Sequence, residues 1–208
     1  MIGIIDYKAG NAPSVLNACK KIGAEARLVS SPGELDDLTG IILPGVGSAA
    51  ATLESLNALG FVEALEDRVC RKNLPFLGIC IGMQILFEFS EEGNVPCLGW
   101  LKGTVKRFDQ ENLRVPQMGW NGVHFLYSHP LWEGLSEEEY FYFVNSYHVA
   151  PKDEKDCFAR TDYGGEFTSM VKRDHIVAAQ FHVEKSGPVG LTLLNNFVDW
   201  TKEEGKKC

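Results

Sequence analysis

One short run of residues constrains the fold of this chain more than any other: Phe76-Leu77-Gly78-Ile79-Cys80-Ile81-Gly82-Met83-Gln84. It sets a cysteine between two glycines at a point where an apolar strand gives way to a helix. The glycines permit a sharp turn that lifts the sulfur clear of a sheet, and a helix N-terminus behind the sulfur favours the thiolate. A buried structural cysteine is the alternative interpretation. The run predicts a strand, a tight turn and a helix, with Cys80 as a candidate nucleophile.

A nucleophilic cysteine needs a base and a group that orients the base. The segment Ile176-Val177-Ala178-Ala179-Gln180-Phe181-His182-Val183-Glu184 begins as an apolar strand. If the extended geometry continues to Glu184, the period of two places His182 and Glu184 on the same side. A strand-end histidine beside a carboxylate is the simpler alternative. The other histidines have no carboxylate two residues on, so His182 is the strongest candidate base.

A glycine-rich loop follows another short strand in Gly40-Ile41-Ile42-Leu43-Pro44-Gly45-Val46-Gly47-Ser48. Gly45 and Gly47 allow the loop backbone around Val46 to approach a ligand closely or to take positive φ. A loop amide and the amide of Ile81 would then form an oxyanion hole. A phosphate-binding loop is disfavoured, because neither a Lys-Ser/Thr pair nor G-x-G-x-x-G spacing is present.

The alternation of strands and helices in the first half predicts an α/β fold with a mainly parallel sheet covered on both faces. Strands are predicted at 2–7, 26–29, 41–43 and 74–79, with a turn at Gly10-Asn11, helices at 13–22, 50–59, 62–71 and 83–89, and a final helix at 187–203. Between Gly99 and Gln180 the pattern changes to successive strands at 103–108, 140–149, 157–163 and 166–171. These predict an antiparallel β layer beside the parallel core.

The composition of the chain limits which classes of protein it can belong to. The chain has 208 residues, 45% of them hydrophobic, which suits one domain over residues 1–208. A net charge of −8 argues against a nucleic-acid partner, and neither a signal peptide nor a membrane span is predicted. The six cysteines show no C-x-x-C spacing, which disfavours zinc and suits a reducing cytoplasm. Cys19 and Cys70 are predicted to pack inside helices, and Cys208 to be an exposed thiol.

Together these strings resemble the class I (triad) glutamine amidotransferases, over Ile2 to about Trp200. Pro116-Gln117-Met118-Gly119-Trp120-Asn121 and Tyr142-Phe143-Val144-Asn145-Ser146-Tyr147 resemble, within that family, the glutaminase subunits of imidazole glycerol phosphate synthase. The resemblance implies a three-layer sandwich with a mainly parallel central sheet. One departure is Val183, where the family usually has proline; valine keeps an extended backbone, so we expect the geometry of His182 and Glu184 to survive.

The resemblance also implies an activity: hydrolysis of glutamine to glutamate and ammonia through a γ-glutamyl thioester, without a metal or cofactor. The catalytic residues it implies are Cys80, His182 and Glu184. The substrate contacts it implies are Gln84, Glu92, and the backbone around Ser146 and Tyr147.

Ammonia from such a site passes, by resemblance, to a cyclase subunit with a (β/α)₈ barrel of the HisF type, in a heterodimer that forms imidazole glycerol phosphate and an aminoimidazole carboxamide ribotide in histidine biosynthesis. Trp120, Asn121 and Lys185 are the implied docking residues. The alternatives are a paralogous subunit that supplies ammonia for sugar amidation in surface-polysaccharide synthesis, and a non-catalytic interaction module. A γ-glutamyl hydrolase or cysteine peptidase would give the Gln84 and Trp120 strings no role.

Overall fold

Short parallel strands alternate with helices in the first half of the chain, as the sequence predicts. The computed structural model describes residues 1–8, 11–109 and 111–204. The α-helices are α1 (Ala12–Lys21), α2 (Ala49–Ala58), α3 (Phe61–Leu65), α4 (Ile81–Gln84) and α5 (Gly187–Glu204). A π-helical segment at Glu66–Arg71 continues α3, and 3-10 turns lie at Pro32–Leu35, Pro130–Trp132, Glu154–Asp156 and Val183–Lys185.

The strands fall into an early group and a late group. The early strands are β1 (Ile2–Ile5), β2 (Ala26–Val29), β3 (Gly40–Gly45), β4 (Phe76–Cys80), β5 (Phe89–Ser90) and β6 (Val95–Pro96). The late strands are β7 (Gly103–Arg107), β8 (Gln117–Phe125), β9 (Glu138–Asn145), β10 (Tyr147–Pro151), β11 (Cys157–Asp162), β12 (Glu166–Arg173) and β13 (Ile176–Ala179).

The parallel core of the sheet has the order β2-β1-β3-β4-β13. Every residue of β3, β4 and β13 is buried. Strands buried on both faces need a cover on each side, which explains their continuous apolar sequence. Helix α1 packs against α5, and α2 packs against α3. The predicted α/β class with a mainly parallel sheet flanked by helices is therefore confirmed.

The antiparallel strands continue the central sheet instead of standing apart from it. Strand β12 pairs antiparallel with β13, and β10 and β7 follow it outward. Strand β11 also pairs with β12 and links it to β8, which pairs with β9. This one sheet brings the ends of β4, β9 and β13 close together.

Helix α4 is much shorter than the sequence predicts. A helix over 83–89 was expected, but α4 ends at Gln84, and β5 begins at Phe89. The carbonyls of the next three residues accept hydrogen bonds from the backbone of the 98–101 segment instead: Leu98 N to Ile85 O, Leu101 N to Leu86 O and Gly99 N to Phe87 O. Carbonyls engaged by a distant loop are not available to continue a helix.

The smaller expectations have mixed outcomes. The strand expected at 140–149 is two strands, β9 and β10, that are interrupted at Ser146. Cys19 is buried as predicted, but the packing prediction for Cys70 is wrong, since Cys70 is exposed. The expected turn at Gly10 and the terminal thiol of Cys208 lie outside the described residues.

Candidate active site

The backbone strain at the cysteine turn falls on the cysteine itself. Cys80 ends β4 and precedes α4, with φ +55° and ψ −109°. Neither neighbouring glycine needs positive φ; each permits close approach instead. A Cβ on Gly82 would lie 2.0 Å from the carbonyl oxygen of Leu43, and one on Gly78 would lie 2.5 Å from the carbonyl oxygen of Gly82. The glycines thus hold a strained cysteine against β3.

His182 and Glu184 meet through a helical turn. The expected extended geometry is wrong, because β13 ends at Ala179 and Val183–Lys185 form a 3-10 turn. Even so, His182 Nδ1 lies 2.9 Å from Glu184 Oε1. The turn is held against β9, since the His182 amide donates to the Tyr142 carbonyl at 2.9 Å and the Tyr142 amide donates to Ser186 Oγ at 3.0 Å. Hydrogen bonds to β9, and not a continued strand, therefore bring His182 and Glu184 together.

The His182 ring connects Cys80 to Glu184. Burial alone lowers the pKa of His182, but hydrogen bonds to Cys80 and Glu184 and the charges of both groups outweigh it and raise this pKa to about 9. Burial alone raises the pKa of Glu184, yet the hydrogen bond and charge of His182 leave it below its usual value. The arrangement favours an imidazolium held between two acceptors.

Asn11 also contacts Glu184, which sequence analysis did not anticipate. Its Nδ2 donates to Glu184 Oε1 at 2.7 Å, the same oxygen that faces the His182 ring. The sequence signal at Asn11 was only that of a turn. Asn11 therefore helps to fix the Glu184 carboxylate, which in turn orients the His182 ring.

Gln180 lies beside the sulfur, and Gln84 lies beside Gln180. Gln180 Nε2 is 3.7 Å from Cys80 Sγ, and Gln180 Oε1 accepts from Gln84 Nε2 at 3.0 Å. Gln84 Nε2 also donates to the Tyr147 carbonyl at 3.2 Å. Gln84 is buried, and its hydrogen bond to Tyr147 links α4 to β10. The residue that the sequence predicts to contact the substrate therefore also has a structural role. Gln180 was not singled out as a site residue by its sequence.

A cavity of about 290 Å³ opens over the sulfur. Cys80, Ile81, Gln84 and His182 line it, as do the predicted contacts Glu92, Ser146 and Tyr147. The Glu92 carboxylate accepts from the Ala49 amide at 2.9 Å. A carboxylate and several backbone groups around a small cavity suit an amino acid ligand.

The glycine-rich loop has two parts with different roles. Gly45 pairs with Cys80 in register, and a Cβ on Gly45 would lie 2.7 Å from the Gly82 amide nitrogen, so Gly45 permits contact with the cysteine turn. Val46 and Gly47 line the cavity. Gly47 has φ +92°, and a Cβ added there would meet no atom of the described residues within 4 Å. The cavity-facing part of the predicted oxyanion loop is therefore Val46-Gly47.

The three predicted docking residues have different surroundings. Lys185 lines the cavity mouth. Trp120 is 55% exposed, and its ring reaches Gly187, beside the turn that contains His182. Asn121 Nδ2 donates to the Asp162 carbonyl at 2.8 Å, within this chain. Lys185 thus lies at the cavity, and Trp120 lies near the turn that contains His182.

The described ranges contain no group of three or more histidine, cysteine, aspartate or glutamate residues placed to hold a metal ion. Within the same part of the chain, no helix combines the length and apolar character that crossing a membrane requires.

Residues 3–200 match the family model described as Glutamine amidotransferase class-I. A solved structure titled as a glutamine amidotransferase superimposes with a TM-score of 0.77 at 22% identity, covering 97% of this chain and 98% of that one. The PurLQS structure from Thermotoga maritima gives 0.72 at 18% identity, covering 96% and 97%. These structures share the fold. The fold and the family match together define a class I glutamine amidotransferase.

Relatives at higher identity define the group within that class. The imidazole glycerol phosphate synthase subunit HisH of Dehalococcoides mccartyi is 48% identical, covering 95% of this chain and 96% of the relative. The subunit of the same name from Sulfurimonas denitrificans is 47% identical, covering 96% and 98%. The chain therefore belongs to the class I glutamine amidotransferase family and, within it, to the HisH family, as its motifs indicated.

Proposed function

We propose that Cys80, His182 and Glu184 form a catalytic triad that hydrolyses glutamine to glutamate and ammonia. The observation that best supports this is that His182, whose Nδ1 lies 2.9 Å from Glu184 Oε1, lines the same cavity as Cys80. A cysteine, a base and a group that orients the base are what nucleophilic catalysis requires.

The reaction follows from these positions. The Cys80 thiolate attacks the side-chain carboxamide carbon of glutamine, and a sulfur–carbon bond forms. The developing oxyanion is stabilised by the Ile81 amide and an amide of the Val46-Gly47 loop. The carbon–nitrogen bond then breaks as the His182 imidazolium donates its proton, which releases ammonia. Water attacks the resulting thioester while His182 accepts a proton, and glutamate and the thiolate are released.

Substrate recognition is proposed to use the polar groups around the cavity. Glu92 suits the α-ammonium group of glutamine, since it lines the cavity and its other interaction is with a backbone amide. Gln84 and the backbone of Ser146 and Tyr147 lie across the same space. These contacts bind the amino acid portion and leave the carboxamide at the sulfur.

Ammonia is useful only if a partner consumes it, and we propose a cyclase subunit with a (β/α)₈ barrel, in a heterodimer that serves histidine biosynthesis. The relatives' names support this, as does an apolar stripe on one face of β8 and β9. The stripe consists of Met118, Trp120, Tyr140 and Tyr142, of which the first three are 67%, 55% and 59% exposed. Exposed aromatic residues beside a cavity mouth are typical of an interface.

We further propose that residues 1–208 form one amidotransferase domain and that the protein acts in the cytoplasm. The single sheet and its common core support the first proposal. The unpaired state of Cys19, Cys70, Cys80, Cys97 and Cys157 supports the second.

Glutamate release from glutamine by the purified protein tests the function. Glutamate release is measured with the protein alone, and again with a HisF-type cyclase subunit and the ribonucleotide ligand of that subunit. We expect the partner and ligand to raise the rate sharply, Cys80→Ala to abolish it, and the matched control Cys70→Ala to keep it. A folded mixture that stays silent would contradict the proposal and favour the sugar-amidation paralogue or an inactive module.

A further inference from the structure

Gln180 faces the reactive sulfur from a buried position that the triad does not use. Its side chain has 0% exposure, and its Nε2 lies 3.7 Å from Cys80 Sγ. His182 lines the same cavity as Cys80, and the carbonyl oxygen of Val144 lies 4.0 Å from the sulfur. A carbonyl oxygen repels a thiolate, whereas an amide N–H stabilises it. Gln180 therefore supplies a favourable contact, which the Val144 carbonyl does not.

The hydrogen bonds around Gln180 determine which end of its amide faces the sulfur. The Tyr147 carbonyl can only accept, so the NH₂ group of Gln84 must point toward it. The second N–H of that group donates to Gln180 Oε1. The Gln180 NH₂ group is thereby turned toward Cys80. Reversing both amides would place the Gln84 oxygen against the Tyr147 carbonyl.

The backbone also holds Gln180 in place. It directly follows β13, and its amide donates to the Ser169 carbonyl of β12 at 2.9 Å. A donor that is already oriented loses little entropy when the sulfur becomes charged.

We propose that Gln180 is a further catalytic residue, which donates a hydrogen bond to the Cys80 thiolate and keeps it charged and directed into the cavity. The inference rests on the proposed role of Cys80 as the nucleophile. A buried anion needs hydrogen-bond donors, and a donor to a charged acceptor contributes more than one to a neutral acceptor. Loss of the Gln180 amide should lower the thiolate fraction while leaving the thiol in place.

The pH profile of Cys80 alkylation measures that fraction directly. The purified protein reacts with iodoacetamide at a series of pH values, and mass spectrometry quantifies the modified Cys80 peptide. In Gln180→Met, which keeps the volume but removes the donor, we expect a rate about tenfold lower on the acidic limb and a rate equal to wild type at high pH. Gln180→Glu should react more slowly still, because a carboxylate would face the thiolate.

Gln117→Met is the matched control. Gln117 is also a buried glutamine, at 3% exposure, and lies on β8, where its side-chain amide makes no hydrogen bond to the sulfur or to any other group in the described part of the chain. Its alkylation profile should coincide with that of wild type.

Each result decides a specific question. Coincident profiles for Gln180→Met and wild type would overturn the inference, as would an equal loss of rate at every pH, which indicates disturbed packing alone. If Gln180→Met does not fold, the near-isosteric Gln180→Glu decides in the same way. Glutamine hydrolysis that survives Cys80→Ala would instead overturn the proposed function, so the two failures are distinguishable.

Discussion

Replacing Gly82 with alanine tests whether close packing explains the glycines around Cys80. The new Cβ would lie 2.0 Å from the carbonyl oxygen of Leu43, well inside the 3.0 Å that real Cβ contacts respect. Leu43 is fully buried in β3 and pairs with Gly78, so it cannot yield without disturbing β3 and β4. Overpacking of this kind costs about 1–3 kcal/mol, and a clash with backbone belongs at the upper end. The higher helix propensity of alanine offsets about 1 kcal/mol.

The net expectation is a loss of about 2 kcal/mol, which lowers Tm by about 4–8 °C in a chain of this size. Thermal unfolding followed by circular dichroism measures it, with Gly33→Ala as the matched control. A Cβ added at Gly33 would meet no atom within 4 Å, and the φ of Gly33 is not left-handed, so its substitution should be nearly neutral. If Gly82→Ala unfolds at the same temperature as Gly33→Ala, the packing argument is refuted.

Two further predictions concern the groups around His182. Its pKa of about 9 lies above the ordinary value near 6.5, so its stabilisation of the fold is complete below about pH 6.5 and is lost as the pH rises through about 9. NMR titration of the imidazole should show this pKa falling in Cys80→Ala, since Cys80 helps to raise it; an unchanged titration would exclude that contact. Asn11→Ala should reduce glutamine turnover about tenfold, because the Glu184 carboxylate loses a donor at 2.7 Å. The measurement is glutamine turnover with the partner present. The control is Asn17→Ala, which changes an exposed residue on α1, the helix that Asn11 precedes. Equal turnover rates in the two variants would contradict the prediction for Asn11.

Local signals explain why much of the fold and the site was predictable. Apolar runs such as Ile41-Ile42-Leu43 form strands buried on both faces, and the glycines beside Cys80 mark the cysteine turn. The pairing of His182 with Glu184 was also expected, although the strand geometry behind it was wrong. The correct pair arose from a 3-10 turn that β9 holds in place. Such an outcome shows that residue spacing can indicate a contact while leaving its backbone conformation undetermined.

The sequence by itself determined the alternation of strands and helices in the first half of the chain, the turn at Cys80 and the family to which the chain belongs, because glycine placement and hydrophobic periodicity act over a few residues. Only the tertiary structure decided that α4 stops at Gln84, and that Asn11 and Gln180 reach the site. Asn11 is 173 positions from Glu184, and Gln180 is 100 positions from Cys80. Contacts over such separations depend on which strands are neighbours in the sheet and how their side chains pack, and no local pattern encodes them.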